Sequence, residues 1–90
     1  LLLKKIPGTI IVEGHTDDTP MKNLRYIQTN WEFSALRASK VVRFLENQGV
    51  DSRRLTLQGY SQYSPVASNK TVEGRQKNRR IVIKMKVAVE

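Results

Sequence analysis

The last third of the chain carries its plainest pattern: Ile81, Ile83, Met85, Val87 and Val89 fall at every second position. That is the period of a strand with one apolar face. A second strand is predicted at Ile10-Ile11-Val12, a β-branched run bounded by Pro7-Gly8 and Gly14. A third is predicted where Leu55, Leu57 and Gly59 alternate with Thr56, Gln58 and Tyr60, after a turn around Asp51-Ser52. Between these runs Trp31, Ala35, Ala38, Val41, Val42 and Leu45 recur at steps of three and four, which predicts a helix over 31–48 with one apolar stripe. Arg37, Lys40 and Arg43 fall off that stripe. Asn30 is expected as its N-cap, Glu32 suits the positive end of the helix dipole, and Gly49 is placed to stop the helix in a left-handed conformation. Residues 18–29, with Pro20, and 61–69, with Pro65, show no period and are expected as loops. Thr71 to Lys77 is expected as a short helix.

The order strand, long helix, strand, short helix, strand implies an α/β two-layer sandwich, a three-stranded sheet with helices on one face. A strand, helix, strand unit of this length favours a parallel crossover. Ninety residues suffice for one small domain spanning 1–90 with one core. The chain opens Leu1-Leu2-Leu3 without an initiator methionine, so it is expected to be a fragment of a longer protein. Leu1 to Leu3 would then be the last turn of another helix, and the sheet would lack a strand.

Charge changes the picture next. The formal net charge is +8, with Lys70, Arg75, Lys77, Arg79, Arg80, Lys84 and Lys86 crowded into the last third. Such a chain is drawn toward polyanions or an anionic wall or membrane surface. There is no cysteine, so neither a disulfide framework nor a thiolate metal site is available. No apolar run approaches the ~20 residues needed to span a bilayer as a helix.

The candidate chemistry is narrow. His15 is the only histidine, so a metal site would have to be completed by carboxylates, and no Gly-x-Ser-x-Gly elbow accompanies the His-Asp pair. Neither a metal centre, nor a cofactor, nor an enzyme is expected. Asp17 and Asp18 leave the end of a strand, where an aspartate either closes an Asx turn or faces a ligand. Arg37 is open to a ligand, a solvated helix face or a structural ion pair. Together, Asp17 for an ammonium and Arg37 for a carboxylate would grip a zwitterion. The run Arg75 to Arg80 could touch phosphates, with Tyr26, Trp31, Tyr60 and Tyr63 as stacking groups. Those aromatics do not interleave with the bases and no nucleic-acid motif is present, so nucleic acid is not the expected partner.

Several of these stretches, in order and spacing, resemble the OmpA-like peptidoglycan-binding domain. They are Ile11-Val12-Glu13-Gly14-His15-Thr16-Asp17-Asp18, Asn30-Trp31-Glu32-Phe33-Ser34, Arg37-Ala38, Gly59-Tyr60, Pro65-Val66-Ala67 and Asn78-Arg79-Arg80-Ile81. The resemblance spans about residues 10 to 85 and implies a βαβαβ fold with helices packed on a small mixed sheet. It implies that Asp17 and Arg37 hold the diaminopimelate of the wall peptide, with Thr16, Asn30, the backbone near Phe33, and Arg79 around the same pocket. Asn30 would then both cap the helix and touch the ligand. Phe33 stands where leucine is usual, and Ser61 replaces a common glycine after Tyr60. The Asp17-Asp18 doublet and the Asn30-Trp31-Glu32 start are most similar to the MotB-type branch, the flagellar stator proteins. That branch implies a homodimer with a MotA-type partner, and a periplasmic domain of an inner-membrane protein. Plain wall anchors, such as peptidoglycan-associated lipoproteins and outer-membrane proteins, share the pocket.

Overall fold

The computed structural model describes residues 1–22 and 25–88. Its elements are α1 (Leu2–Lys5), β1 (Gly8–Gly14), α2 (Asn30–Asn47), β2 (Leu55–Gly59), α3 (Val72–Asn78) and β3 (Ile81–Val87), with a 3-10 turn Ser52–Arg54 before β2. The sheet order is β2-β1-β3, parallel between β1 and β2 and antiparallel between β1 and β3. This is the expected mixed α/β sandwich. Val89, read as the end of the last strand, lies outside the described residues.

Pairing puts the apolar residues of all three strands on one face, because Ile10 is opposite Leu55 and Met85, and Val12 is opposite Leu57 and Ile83. Helix α2 lies along β1 and β2. Ile10, Val12, Ala38, Leu45 and Val50 form the buried core, with Leu3, Val41, Val42, Leu55, Ile81 and Met85 packed around it. β1 runs two residues beyond the apolar run at each end, since Thr9 and Glu13 are polar positions on the open face that a hydrophobicity reading leaves out. Helix α3 has a different job. Its buried residues are Gly74 and Asn78, and Asn78 is bonded to Val66, Ala67 and Asn69, so it pins the preceding loop.

The ends of α2 are set locally. At its C-terminus Gly49 has φ +95°, its N–H donates to the Glu46 carbonyl, and the Val50 N–H donates to the Leu45 carbonyl at 3.0 Å. This is a Schellman closure, with Leu45 and Val50 buried as its apolar contact. At the N-terminus the cap is Thr29, not Asn30: Thr29 Oγ1 accepts from the Trp31 N–H at 3.2 Å and donates to the Glu32 carboxylate. The Thr-x-x-Glu spacing of a capping box is present at 29–32 and was the signal for it. Asn30 is thereby released for other contacts.

The chain's entry is tied down by one side chain. Arg54 donates from Nε to the Gly8 carbonyl at 2.7 Å, from Nη1 to the Leu3 carbonyl at 2.9 Å, and from Nη2 to the Ile6 carbonyl. One guanidinium thus holds α1, a single helical turn as expected, against the start of β1.

Candidate functional site

β1 and β2 end side by side at Gly14 and Gly59, and the first turn of α2 is pressed onto both ends. A Cβ added at Gly14 would stand 2.0 Å from the Ser34 carbonyl oxygen, and one at Gly59 would stand 2.8 Å from Ser34 Oγ. Both positions therefore require glycine. Ser34 Oγ donates to the Trp31 carbonyl and accepts from the Ser61 N–H at 3.1 Å, which binds the loop after β2 to the helix start. Ser61 has φ 56°, the left-handed region that favours glycine, and its carbonyl accepts from the Thr16 N–H at 3.0 Å. The departure at Ser61 thus lies in the backbone that supports the site.

Where β1 leaves the sheet, the chain forms a cavity of about 210 Å³ lined by Thr16, Asp17, Thr19, Pro20, Met21, Asn30, Phe33 and Arg79. Asp17 is 4% exposed. Its Oδ1 accepts from the Thr19 N–H at 2.9 Å, an Asx turn, and its Oδ2 accepts from Arg79 Nη1. Burial pushes the Asp17 carboxyl up, but the bonds from Thr19 and Arg79 outweigh it and hold the group below the ordinary aspartate value. Asp17 is thus an ionised buried anion at a cavity wall. Each of its oxygens retains acceptor capacity for an incoming cation.

Five of the six expected site residues meet here, namely Thr16, Asp17, Asn30, Phe33 and Arg79. Arg37 does not line the cavity, and the partner of Asp17 is Arg79. Arg37 sits over the ring of Phe33, a residue of the cavity wall, 5.7 Å from its centroid. Phe33 lines the cavity, and its N–H donates to the Thr29 carbonyl at 3.2 Å, closing the first helical turn. Asn30 does not cap. Its Nδ2 donates to the Asp17 carbonyl at 3.3 Å, the Thr19 carbonyl at 3.1 Å and Gln62 Oε1 at 3.2 Å, so it holds the 17–19 turn and the loop after β2 together.

Sequence reasoning missed Thr19, Pro20 and Met21, which form a wall from a stretch with no periodicity. It also left Gln62 and Ser34 without roles. Asp18 is exposed and outside this cavity, in an adjoining recess.

A second carboxylate, Glu13 of β1, is buried as well. Glu13 Oε1 lies 3.0 Å from His15 Nε2, Glu13 Oε2 lies 2.9 Å from Lys84 Nζ, and the His15 ring stacks on Tyr60 with centroids 4.8 Å apart. Burial raises the Glu13 carboxyl, yet Lys84 and His15 bring it below the ordinary value, and Glu13 raises Lys84 in return. Among the described residues no group of three or more histidine or acidic side chains is arranged to hold a metal.

This arrangement can bind a cation-bearing polar group non-covalently. Residues 2–79 match the model of the OmpA family. The chain belongs to the OmpA family. Among curated OmpA-family relatives, Motility protein B of Bacillus subtilis is 46% identical over 84 residues, covering 92% of this chain and 32% of that protein. The chain thus spans about a third of that relative's length. The C-terminal domain of Helicobacter pylori MotB superposes with a TM-score of 0.89 at 33% identity, over 98% of this chain and 67% of that one. The cell wall anchor of the type VI secretion system from Pseudomonas aeruginosa gives 0.86 at 40% identity, over 96% and 59%. As an OmpA-like domain, the chain is of the peptidoglycan-binding type. Among the described residues no helix is long and apolar enough to cross a membrane.

Proposed function

We propose that the domain binds peptidoglycan non-covalently through the diaminopimelate of the stem peptide, and so anchors a flagellar motor stator to the cell wall. The observation that carries the proposal is Asp17, a buried anion kept ionised at the wall of an open cavity. Diaminopimelate ends in an amine and a carboxylate on one carbon. Its ammonium would take the free acceptor capacity of Asp17, beside Thr16 and Asn30. Its carboxylate would meet Arg79 in a charge-assisted bond, with Arg37, over the Phe33 ring, adding its positive charge nearby. No nucleophile or metal takes part, and the domain acts by adhesion.

Similarity to Motility protein B and to MotB supports the stator reading. In that reading the domain is the periplasmic part of an inner-membrane protein, works as a homodimer with a MotA-type partner, and fixes the ion-conducting complex against the wall. Two copies bound to one polymer gain residence time through effective concentration. Asp17→Ala and Arg37→Ala are each expected to abolish most co-sedimentation with purified sacculi. Sedimentation of either variant at the level of the unaltered chain would sink the assignment.

A second reading, a plain wall anchor of a lipoprotein or outer-membrane protein, is favoured by the similarity to the type VI secretion anchor. A chimera decides between them. If this chain replaces the wall-binding domain of a flagellar stator protein, sediments with sacculi and yet leaves the cells non-motile, the plain anchor is correct.

A further inference from the structure

The end of the domain opposite the Asp17 cavity is cationic. β1 and β2 start there, at Gly8 and Leu55, and the second half of α2 runs toward it. The helix from Asn30, at the cavity, to Phe44 spans about 21 Å. Lys40, Arg43, Phe44 and Asn47 fall on the solvent side of α2, away from buried Ala38 and Leu45, and together line an open recess of about 300 Å³. The Phe44 side chain is 56% exposed and lies outside the core cluster. Burial in this fold therefore does not account for a phenylalanine at that position.

More positive charge gathers at the same end. Lys4 and Lys5 close α1, and Lys4 Nζ lies over Gly49, just past α2, where an added Cβ would stand 2.9 Å from it. Among the described residues, Lys4, Lys5, Lys40 and Arg43 form no ion pair. Of the acids at this end, Glu46 accepts from Ser52 Oγ and Asp51 is paired with Arg53. Uncompensated cations thus surround an exposed aromatic ring. A polyanion in water asks only for the cations, whereas a phenyl ring among them suits a surface that offers phosphate outside and hydrocarbon beneath.

We propose that this end of the domain docks on an anionic phospholipid bilayer, with Lys40 and Arg43 on headgroup phosphates and the Phe44 ring entering the interface between them. Long basic side chains lay their stems along apolar surface while their heads reach phosphate. Choosing a bilayer rests on the reading above of the domain as the periplasmic part of an inner-membrane protein. When the cavity end grips the wall, the opposite end is the one turned toward the membrane. Docking there would leave the Asp17 cavity pointing away from the bilayer, toward the wall polymer.

Co-sedimentation with vesicles of equal parts phosphatidylglycerol and phosphatidylcholine tests this. The chain is expected to sediment with them, to lose affinity as salt rises, and to stay in solution with vesicles of phosphatidylcholine alone. Lys40→Gln combined with Arg43→Gln should weaken vesicle binding roughly twentyfold, about fivefold for each surface cation, and leave sacculus binding intact. Lys70→Gln combined with Lys77→Gln removes the same charge around α3, toward the cavity end, and should cost no more than about twofold. Trp31 is the only tryptophan and stands at the cavity end, so its emission should not move when vesicles bind. In Trp31→Phe combined with Phe44→Trp, the emission should shift to the blue, with thermal unfolding confirming that each variant is folded. The docking surface is overturned by absence of binding to the anionic vesicles, by equal losses in the two lysine and arginine variants, or by a blue shift of Trp31 itself. Loss of sacculus binding in the Lys40 and Arg43 variant, without vesicle binding by the unaltered chain, would give the patch to an anionic wall polymer and also overturn it. Normal sacculus binding by Asp17→Ala with vesicle binding unchanged counts against the peptide pocket alone.

Discussion

Two carboxylates four residues apart are buried, Glu13 in β1 and Asp17 three residues beyond its end, and Asp17 lines the cavity. Both are ionised, both are paired with a cation, and both are held below their ordinary values against the cost of burial. Glu13 is closed in by His15, Lys84 and Tyr60. Asp17 has the Thr19 N–H on one oxygen and Arg79 on the other, and beyond them a cavity. A perturbed, buried acid thus does not mark a binding site by itself; the cavity beside Asp17 is what makes it the candidate.

The comparison can be broken by exchanging the losses. Asp17→Ala should weaken sacculus binding by at least about thirtyfold, as expected from the roughly 2–5 kcal/mol lost when one member of a buried charge pair is truncated. Glu13→Ala should instead leave folded protein that still sediments, with urea unfolding showing a stability loss of about 2 kcal/mol, the scale of a hydrogen bond to a charged group. Lys84 is largely solvated, which keeps that figure toward the lower end. If Glu13→Ala abolished binding while its unfolding midpoint stayed fixed, the assignment of roles would be reversed.

Acid should act on both groups in the same direction. A carboxyl whose folded pKa is lowered contributes stability that is present above its unfolded value and lost as pH falls through the folded one. Starting values of 3.8 for Asp17 and 4.5 for Glu13 put the onset near pH 4.5 and the remaining loss below it. Exposed Asp51 is drawn down to about 2 by its bonds from Arg53. Urea midpoints measured from pH 7 to pH 3 should decline, and Glu13→Gln should flatten the decline. The smallest effect is expected at Ser61, whose carbonyl receives Thr16. Ser61→Gly relieves a left-handed serine and should raise stability by up to about 1 kcal/mol, with sacculus binding retained.

Much of this fold was legible because periodicity records burial. The Ile10-Ile11-Val12 run and the three-and-four spacing from Ala35 to Leu45 report faces turned to the core, and the alternation over 81–87 does so at Ile81 and Met85, while Ile83 and Val87 are exposed. The pattern failed at Trp31, which keeps the helical phase of the stripe but is 53% exposed. It also failed at Asn30, where two adjacent residues could both cap and the Glu32 partner three residues after Thr29 decided between them. At the candidate site, residue types and family spacing pointed to residues of which five line one cavity. The pairing of Asp17 with Arg79 could not be read locally, because it joins residues separated by most of the fold. The wall made by Thr19, Pro20 and Met21 has no periodic signature at all, since a loop is shaped by its anchors, here Asn30 and the Asx turn.

The central place of β1 has a mechanical consequence. Asp17 lies three residues past the end of that strand, which is bonded to β2 along one side and β3 along the other. A tug on Asp17 along the strand axis loads both ladders in shear at once, whereas a tug on either outer strand across the sheet could open a single ladder bond by bond. The grip is attached to the member of the sheet that is hardest to pull out.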